Sequence, residues 1–260
     1  DDVLLEKYLE GTDLSDEEIS KGIKAGSLRQ LFVPVVCGSA TRNIGIQPLL
    51  DTVIFCLPSP IEKAGLTPIT GKNPKTGEQV SRKPVESDPL SVRVFKTIAD
   101  PFAGKLTLFR VFSGVLKSDS SIYNSTRDTK EKMGGMFYLL GKNHMPVKEA
   151  GPGEIAAVAK LKESQTGDTF SDAGSPILLD PIHFADPIIS YAIEPKSRGD
   201  EDKVSIGLHR LLEEDPTLKF HKDQETKEML ISAMGQMHLE VTLERLKRKF
   251  GVEVEMKTPK

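Results

Sequence analysis

The spacing of apolar residues changes rhythm along this chain, and each change predicts a different kind of element. Near the start, Ser15-Asp-Glu-Glu18 has the form of a capping box, and Ile19 and Ile23 behind it share one helical face. Gly26 is expected to end that helix. Residues 32–37 are apolar at nearly every position, the pattern of a strand buried on both faces. Pro48 opens a second helix that runs to Leu57, and Pro58 and Pro60 close it. One strand between helices cannot cover both of its faces, so its sheet partners are expected upstream of the chain.

Residues 63–88 lose this periodicity. Gly71-Lys-Asn-Pro-Lys-Thr-Gly77 is turn-forming throughout, which predicts a linker with a solvated hairpin or loop. From 89 to 186 the period becomes two. Leu90, Val92 and Val94 alternate with Ser91 and Arg93, and short apolar runs recur between turn signals at Asp100-Pro-Phe-Ala-Gly104, Ser113-Gly114, Gly151-Pro-Gly153 and Thr166-Gly-Asp168. Many short strands so spaced predict a small closed barrel. From 187 to 260 strands and helices alternate. A strand ends at Glu194-Pro195, and a helix from about Asp200 to Glu214 puts Val204, Leu208, Leu211 and Leu212 on one stripe. A hairpin turns around Asp223-Gln-Glu225. A second helix, from about Gln236 to Phe250, places Leu239, Leu243, Leu246 and Phe250 on one side, and Val252–Met256 is a last strand. That order, βαββαβ, is the split β-α-β or ferredoxin-like motif. The fold class is therefore multidomain: α/β over 1–62, a linker over 63–88, a β-barrel over 89–186 and α+β over 187–260. The class switch near Asp180-Pro181 and Asp186-Pro187 is expected to be a mobile joint with few contacts across it.

Composition narrows the function classes. A content of 38% hydrophobic and 28% charged residues is ordinary for a globular protein. The net charge of −3 gives no global basic signal, so any nucleic-acid contact must come from local patches. Cys37 and Cys56 sit in apolar surroundings with no other Cys and no His near in sequence, and are expected to be free, buried thiols suited to a reducing cytosol. No apolar run approaches the ~20 residues of a membrane span, and no signal-peptide pattern is present. The opening Asp1-Asp2 reads as a cut inside a longer protein.

Candidate chemistry is sparse. No Gly-x-x-x-x-Gly-Lys-Ser/Thr occurs, so no loop of backbone N–H groups is predicted to cradle a phosphate. The chain alone is not expected to be an enzyme, and no cofactor or metal ligand set is expected in it. Lys105, next to Gly104, and Arg110 are candidates for touching an RNA phosphate from the exposed barrel turn. Arg245, Lys247, Arg248 and Lys249 crowd the last turn of a helix; the helix dipole accounts for them, with Arg245 and Arg248 kept as contact candidates. His238 begins the same helix and is expected at a domain interface, because no Ser or Cys nucleophile is partnered to it by motif. A rival reading makes the chain a self-contained enzyme using His238 or Glu213-Glu214-Asp215. Those carboxylates sit at a helix end before Pro216 without a paired acid/base pattern.

Four groups of motifs carry a resemblance. They are Val33-Pro-Val-Val-Cys-Gly-Ser-Ala40 with Leu57-Pro-Ser-Pro60; Asp100-Pro-Phe-Ala-Gly-Lys-Leu106 with Arg110-Val-Phe-Ser-Gly114 and Tyr123-Asn-Ser-Thr126; Thr166-Gly-Asp-Thr169; and Glu194-Pro-Lys196 with Glu213-Glu-Asp-Pro216 and Gly235-Gln-Met-His-Leu-Glu240. In this order they resemble the elongation factor G family of translational GTPases, from the end of the GTP-binding domain through domains II and III. The resemblance implies that 1–62 is a remnant of the GTP-binding domain, a partial G-domain βα unit in which Gly38, Ser39 and Ala40 form the guanine-contacting loop of an incomplete site. It implies a translation-factor barrel as domain II and a ferredoxin-like domain III. It further implies a cytoplasmic parent that uses GTP and Mg and promotes tRNA and mRNA translocation on the ribosome. This piece would then supply surfaces for small-subunit rRNA and proteins and an interdomain relay, as a monomer with no membrane or DNA partner. The alternative within the class is a factor for ribosome recycling or ribosome protection. Two departures point to a divergent paralogue: Gly235-Gln236-Met237 stands where the family has Gly-Glu-Leu, and Lys160 where it favours Gly.

Overall fold

The computed structural model describes residues 2–100, 104–141, 143–197 and 199–260, Asp100 by its backbone alone. The chain divides into two compact units, Asp1–Ile69 and Thr70–Lys260. The first unit holds α1 (Asp2–Leu9), α2 (Asp16–Leu28), α3 (Ile46–Cys56) and α4 (Pro60–Leu66). The capping box forms as expected: the Glu18 N–H donates to Ser15 Oγ at 3.3 Å, and the Ser15 N–H donates to Glu18 Oε2 at 3.0 Å. A second box, Ser59 with Glu62, opens α4. A hydrogen bond from Lys24, then the Ser59 N–H, holds the Glu62 carboxyl at about 2.

Three expectations for this unit are corrected. Gly26 does not end α2; the helix runs to Leu28, and Gln30 takes the positive φ of 59°. Gly26 lies instead under the Phe32 ring, where a Cβ would sit 2.2 Å from Cε1. The apolar run 32–37 is not a buried strand. It is extended but unpaired, with Val33 82% and Val35 91% exposed. A strand needs a neighbour for its N–H and C=O groups, and none lies beside this run among the described residues. Cys37, on that run, is accordingly exposed, whereas Cys56 is buried; both are free thiols.

In the second unit, β1 (Ile69–Lys72) and β2 (Gln79–Arg82) form a hairpin within the stretch read as linker. Asn73 Oδ1 accepts the Lys75 and Thr76 N–H groups and shapes its turn. The barrel strands follow: β3 (Ser91–Asp100), β4 (Gly104–Ser113), β5 (Leu116–Lys117), β6 (Ser121–Asn124), β7 (Thr129–Lys132), β8 (Met136–Leu140), β9 (Asn143–Val147), β10 (Glu149–Ala150), β11 (Ile155–Ala159), β12 (Thr169–Ser171) and β13 (Leu178–Leu179). The β3–β4 turn expected at Asp100-Pro-Phe-Ala-Gly104 lies, at 101–103, outside the described residues. Eight strands pair antiparallel in the order β7-β6-β12-β3-β4-β11-β8-β9. Only Lys148 separates β9 from β10, and a tight turn joins β5 to β6. The β5–β10 ladder therefore ties one edge of the sheet back to the other and closes it. β13 pairs with β1 on the outside.

The barrel core is Val92, Val94, Phe109, Val111, Leu116, Met133, Met136, Val158 and Phe170, all at most 1% exposed. Two register shifts in β3–β4, one after Val94 and one after Ser91, leave Phe95 and Phe112 as extra residues. Between them Val92 faces Val111, Val94 faces Phe109, and all four point inward. Gly114 (φ 70°) approaches the backbone of Leu90 so closely that a Cβ would lie 2.8 Å from its Cα. Lys160, the residue standing where the family favours Gly, has φ 66° and donates its N–H to Lys105 O at 2.8 Å.

The last elements are β14 (Ile189–Pro195), α5 (Glu201–Glu214), β15 (Lys219–Lys222), β16 (Met229–Ala233), α6 (Gln236–Phe250) and β17 (Val254–Lys257). The sheet order β15-β16-β14-β17, antiparallel throughout, is the split β-α-β topology. Val204, Leu208 and Leu211 of α5 and Leu239 and Leu246 of α6 bury one face of the sheet against Ile193 and Ile231. Gly251, at φ 68°, ends α6.

Two outcomes are expected. Lys160→Gly relieves a left-handed backbone; after the extra unfolded-state entropy of glycine the net gain is about 0.5–1 kcal/mol. Calorimetry should show a melting temperature higher by about 1–4 °C, and a lower one would show that the Lys160 side chain matters more than its backbone. Because the folded carboxyl of Glu62 lies below its unfolded value of 4.5, its stabilisation of α4 is present above pH 4.5 and is lost as pH falls through about 2. Amide exchange of Glu62 across that window should follow this loss in wild type and show none of it in Glu62→Gln.

Candidate functional site

The Gly-Ser-Ala loop is built by its backbone. Ser39 and Ile44 exchange N–H···O bonds at 2.9 and 3.1 Å, and Asn43 donates to Ala40 O at 3.2 Å. A Cβ on Gly38 would lie 2.7 Å from Ile44 O, so the loop can close this tightly only with glycine there. No described hydrogen bond uses the Ala40 or Thr41 N–H. The loop thus presents donors that a flat carbonyl acceptor could use, at the N-terminal end of α3.

The basic candidates separate into engaged and unengaged groups. Lys105 is only 17% exposed, and its Nζ lies 3.5 Å from Glu213 Oε2, so it joins the barrel to α5. Lys247 pairs with Glu253 at 2.8 Å. Arg245 reaches Glu214 at 3.8 Å. Arg248 is exposed and has no described partner. Arg110 lies on the outer face of β4, its guanidinium 5.6 Å from the Phe112 ring centroid.

His238 forms part of a small polar cluster. The Met234 N–H donates to His238 Nδ1 at 3.3 Å, which leaves Nε2 to donate to Asp215 Oδ2 at 2.9 Å. Burial works against the Asp215 charge. Hydrogen bonds from the Thr217 hydroxyl and N–H, then His238, outweigh it and hold the carboxyl below its usual range. His238 therefore fastens the start of α6 to the loop after α5. The rival catalytic use of Glu213 and Glu214 meets an obstacle: both carboxylates already hold lysines.

The interaction that sequence reasoning missed is at Glu214. Its side chain is 7% exposed, accepts the Ala99 N–H of β3 at 2.6 Å and pairs with Lys249 Nζ at 2.7 Å. Lys249 Nζ also donates to Ala99 O at 3.1 Å. One carboxylate and one ammonium thus satisfy both backbone groups of Ala99. The joint expected to be loose is clamped, because the end of β3 offers an unpaired N–H and C=O that α5 and α6 meet with opposite charges. The Glu-Glu-Asp-Pro motif was visible in sequence, but nothing there pointed to its partner on β3.

The second unit is thus a closed barrel clamped to a split β-α-β domain, the architecture of a multidomain protein. Comparison with known proteins identifies which. The family model for elongation factor G domain 2 matches residues 89–173, and that for elongation factor G domain III matches 184–258. Elongation factor G of Thermotoga maritima is 46% identical over 259 residues, and that of Aquifex pyrophilus 44% over 260. Both matches cover all of this chain and 37% of the relative. A crystal structure from Thermus thermophilus superposes with a TM-score of 0.79 at 32% identity, covering all of this chain and 36% of that one. The chain belongs to the elongation factor G family. No described helix is long and apolar enough to cross a membrane.

Glu214→Ala should strand Lys249 against the barrel and cost about 2–4 kcal/mol, the range for breaking a mostly buried pair. Glu214→Ala with Lys249→Met should recover most of that loss in urea unfolding. A double variant whose loss equals the sum of the single losses would show that the two groups act independently.

Proposed function

We propose that this chain supplies the ribosome-binding and interdomain-relay surfaces of a ribosome-dependent GTPase that promotes translocation of tRNA and mRNA. The observation that carries this reading is the tandem match to elongation factor G domains 2 and III. In this reading residues 1–62 close a GTP-binding domain, 63–88 connect it to the barrel, and 89–186 and 187–260 are domains II and III. The Ala40 N–H, beside Gly38 and Ser39, meets the guanine base. GTP and Mg are held chiefly by other segments of the parent, so the chain alone does not turn over nucleotide. Arg110, Arg245 and Arg248 face small-subunit rRNA or ribosomal protein. Lys105, held by Glu213, keeps the barrel in register with α5, and His238, held by Asp215, fixes the start of α6 to the loop behind that contact. The parent works in the cytoplasm, and the chain itself is monomeric.

Co-sedimentation with ribosomes across a salt series tests this. Binding should be weak and fall with salt, with a log–log slope of roughly −0.7 to −0.9 per phosphate contact. Arg245→Ala with Arg248→Ala should flatten that slope by up to about two. No binding at low salt, or tight binding indifferent to salt, would overturn the reading. Fluorescent GDP should show no saturable, magnesium-dependent binding to the chain.

A further inference from the structure

The register shift in β3–β4 sets two arginines face to face. Arg93 and Arg110 are directly opposed across the ladder on the outer face of the barrel. Like charges so placed repel and weaken a sheet. Yet no described hydrogen bond or ion pair reaches either guanidinium, and the Nε of each is buried without a partner. Burial disfavours the charge on Arg93, which Asp180 nearby partly restores. Bulges at Phe95 and Phe112 bracket the pair. With one continuous register, Arg93 would lie opposite Val111. The two bulges therefore create the opposition, and bulges are a common means of re-aiming a side chain. The Phe112 ring lies 5.6 Å from the Arg110 guanidinium, and Ile155, more than half exposed, stands beside Arg110 on β11.

We propose that Arg93 and Arg110 form a fork that grips a phosphodiester of an RNA backbone. The proposal rests on the ribosomal reading above and adds to it the partner group and a second arginine. A guanidinium presents paired donors matched to two phosphate oxygens, and an anion between two of them relieves their repulsion. A single carboxylate side chain needs only one such fork. Two forks beside a half-buried ring and an exposed aliphatic side chain fit a polymer whose charge repeats and whose flat bases adjoin it.

The test follows arginine Nε–Hε resonances of the full chain on addition of a short RNA duplex, with anisotropy measured over a salt series. The Arg93 and Arg110 signals should shift together. Arg93→Gln and Arg110→Gln should each weaken binding roughly three- to tenfold at low salt and flatten the salt slope by about one. Arg93→Lys should keep the slope while losing affinity, since it retains the charge but not the fork. The fork is overturned if the two resonances stay still, if the double variant binds RNA unchanged, or if polyglutamate displaces RNA at equal charge concentration. Resonances that shift with RNA while ribosomes fail to bind would support the fork and sink the ribosomal reading. Ribosome binding unaltered in the double variant would do the reverse.

Discussion

The paired register shifts in β3–β4 are the constraint on which the second unit depends. A regular hairpin would carry one residue pairing from end to end. Here Phe95 and Phe112 are each left over, and the segment between them is displaced by one position. Because side chains alternate faces, that single step decides which residues enter the barrel. It sends Val92, Val94, Phe109 and Val111 into the core together, where all are fully buried. It sends Arg93 and Arg110 out together. The same ladder continues to Ala99, where Glu214 and Lys249 take up its backbone groups.

Several of the cations that the sequence singles out are neutralised internally. Lys105, Lys247, Lys249 and Arg245 all have carboxylate partners, and Arg127 holds the buried Asp168 at 2.7 Å. A chain of net charge −3 has little long-range pull on RNA. On the proposed ribosomal reading, recognition then falls to local groups of cations without a described carboxylate within pairing distance, Arg93, Arg110 and Arg248 among them. Their fixed positions on β-strands and a helix end matter more than their number.

The element order was legible because it depends on local rules. Capping residues, Pro and Gly punctuation, and periods of two and 3.6 marked α2 and α3, the short barrel strands and the βαββαβ order, but not α1 or α4; Pro60 opens α4 rather than closing the helix before it. What failed was what depends on a partner distant in sequence. The run 32–37 has the composition of a buried strand, but composition cannot provide a neighbouring strand, and Val35 stands in solvent. Gly26 looked like a cap because a glycine near a helix end usually is one; the Phe32 ring is its true reason. Lys160 was noticed as a departure, and its positive φ supplies the physical ground. At the candidate site the sequence singled out Arg110 and passed over Arg93, because a bulge cannot be counted from alternation. Lys105 and His238 were noticed, but their partners Glu213 and Asp215 lie far along the chain.

An interdomain relay requires a stiff carrier between its two ends, and the barrel contains one. Arg93 and Ala99 lie on a single strand, six residues apart, or roughly 20 Å at the rise of an antiparallel strand. That strand is laddered to β4 along this length. Its far end is held by a carboxylate that also binds α6 through Lys249, and α6 begins at the His238–Asp215 bond. A displacement of β3 therefore cannot be absorbed at Ala99 without breaking the two hydrogen bonds by which Ala99 meets Glu214 and Lys249. The alternative is to carry α5 and α6 along. Breaking hydrogen bonds to charged groups costs about 1.5–3 kcal/mol each, whereas moving two packed helices as a body breaks no bond within them. The lower-cost response is joint movement, so barrel and helices act as one lever unless the Glu214 clamp is opened.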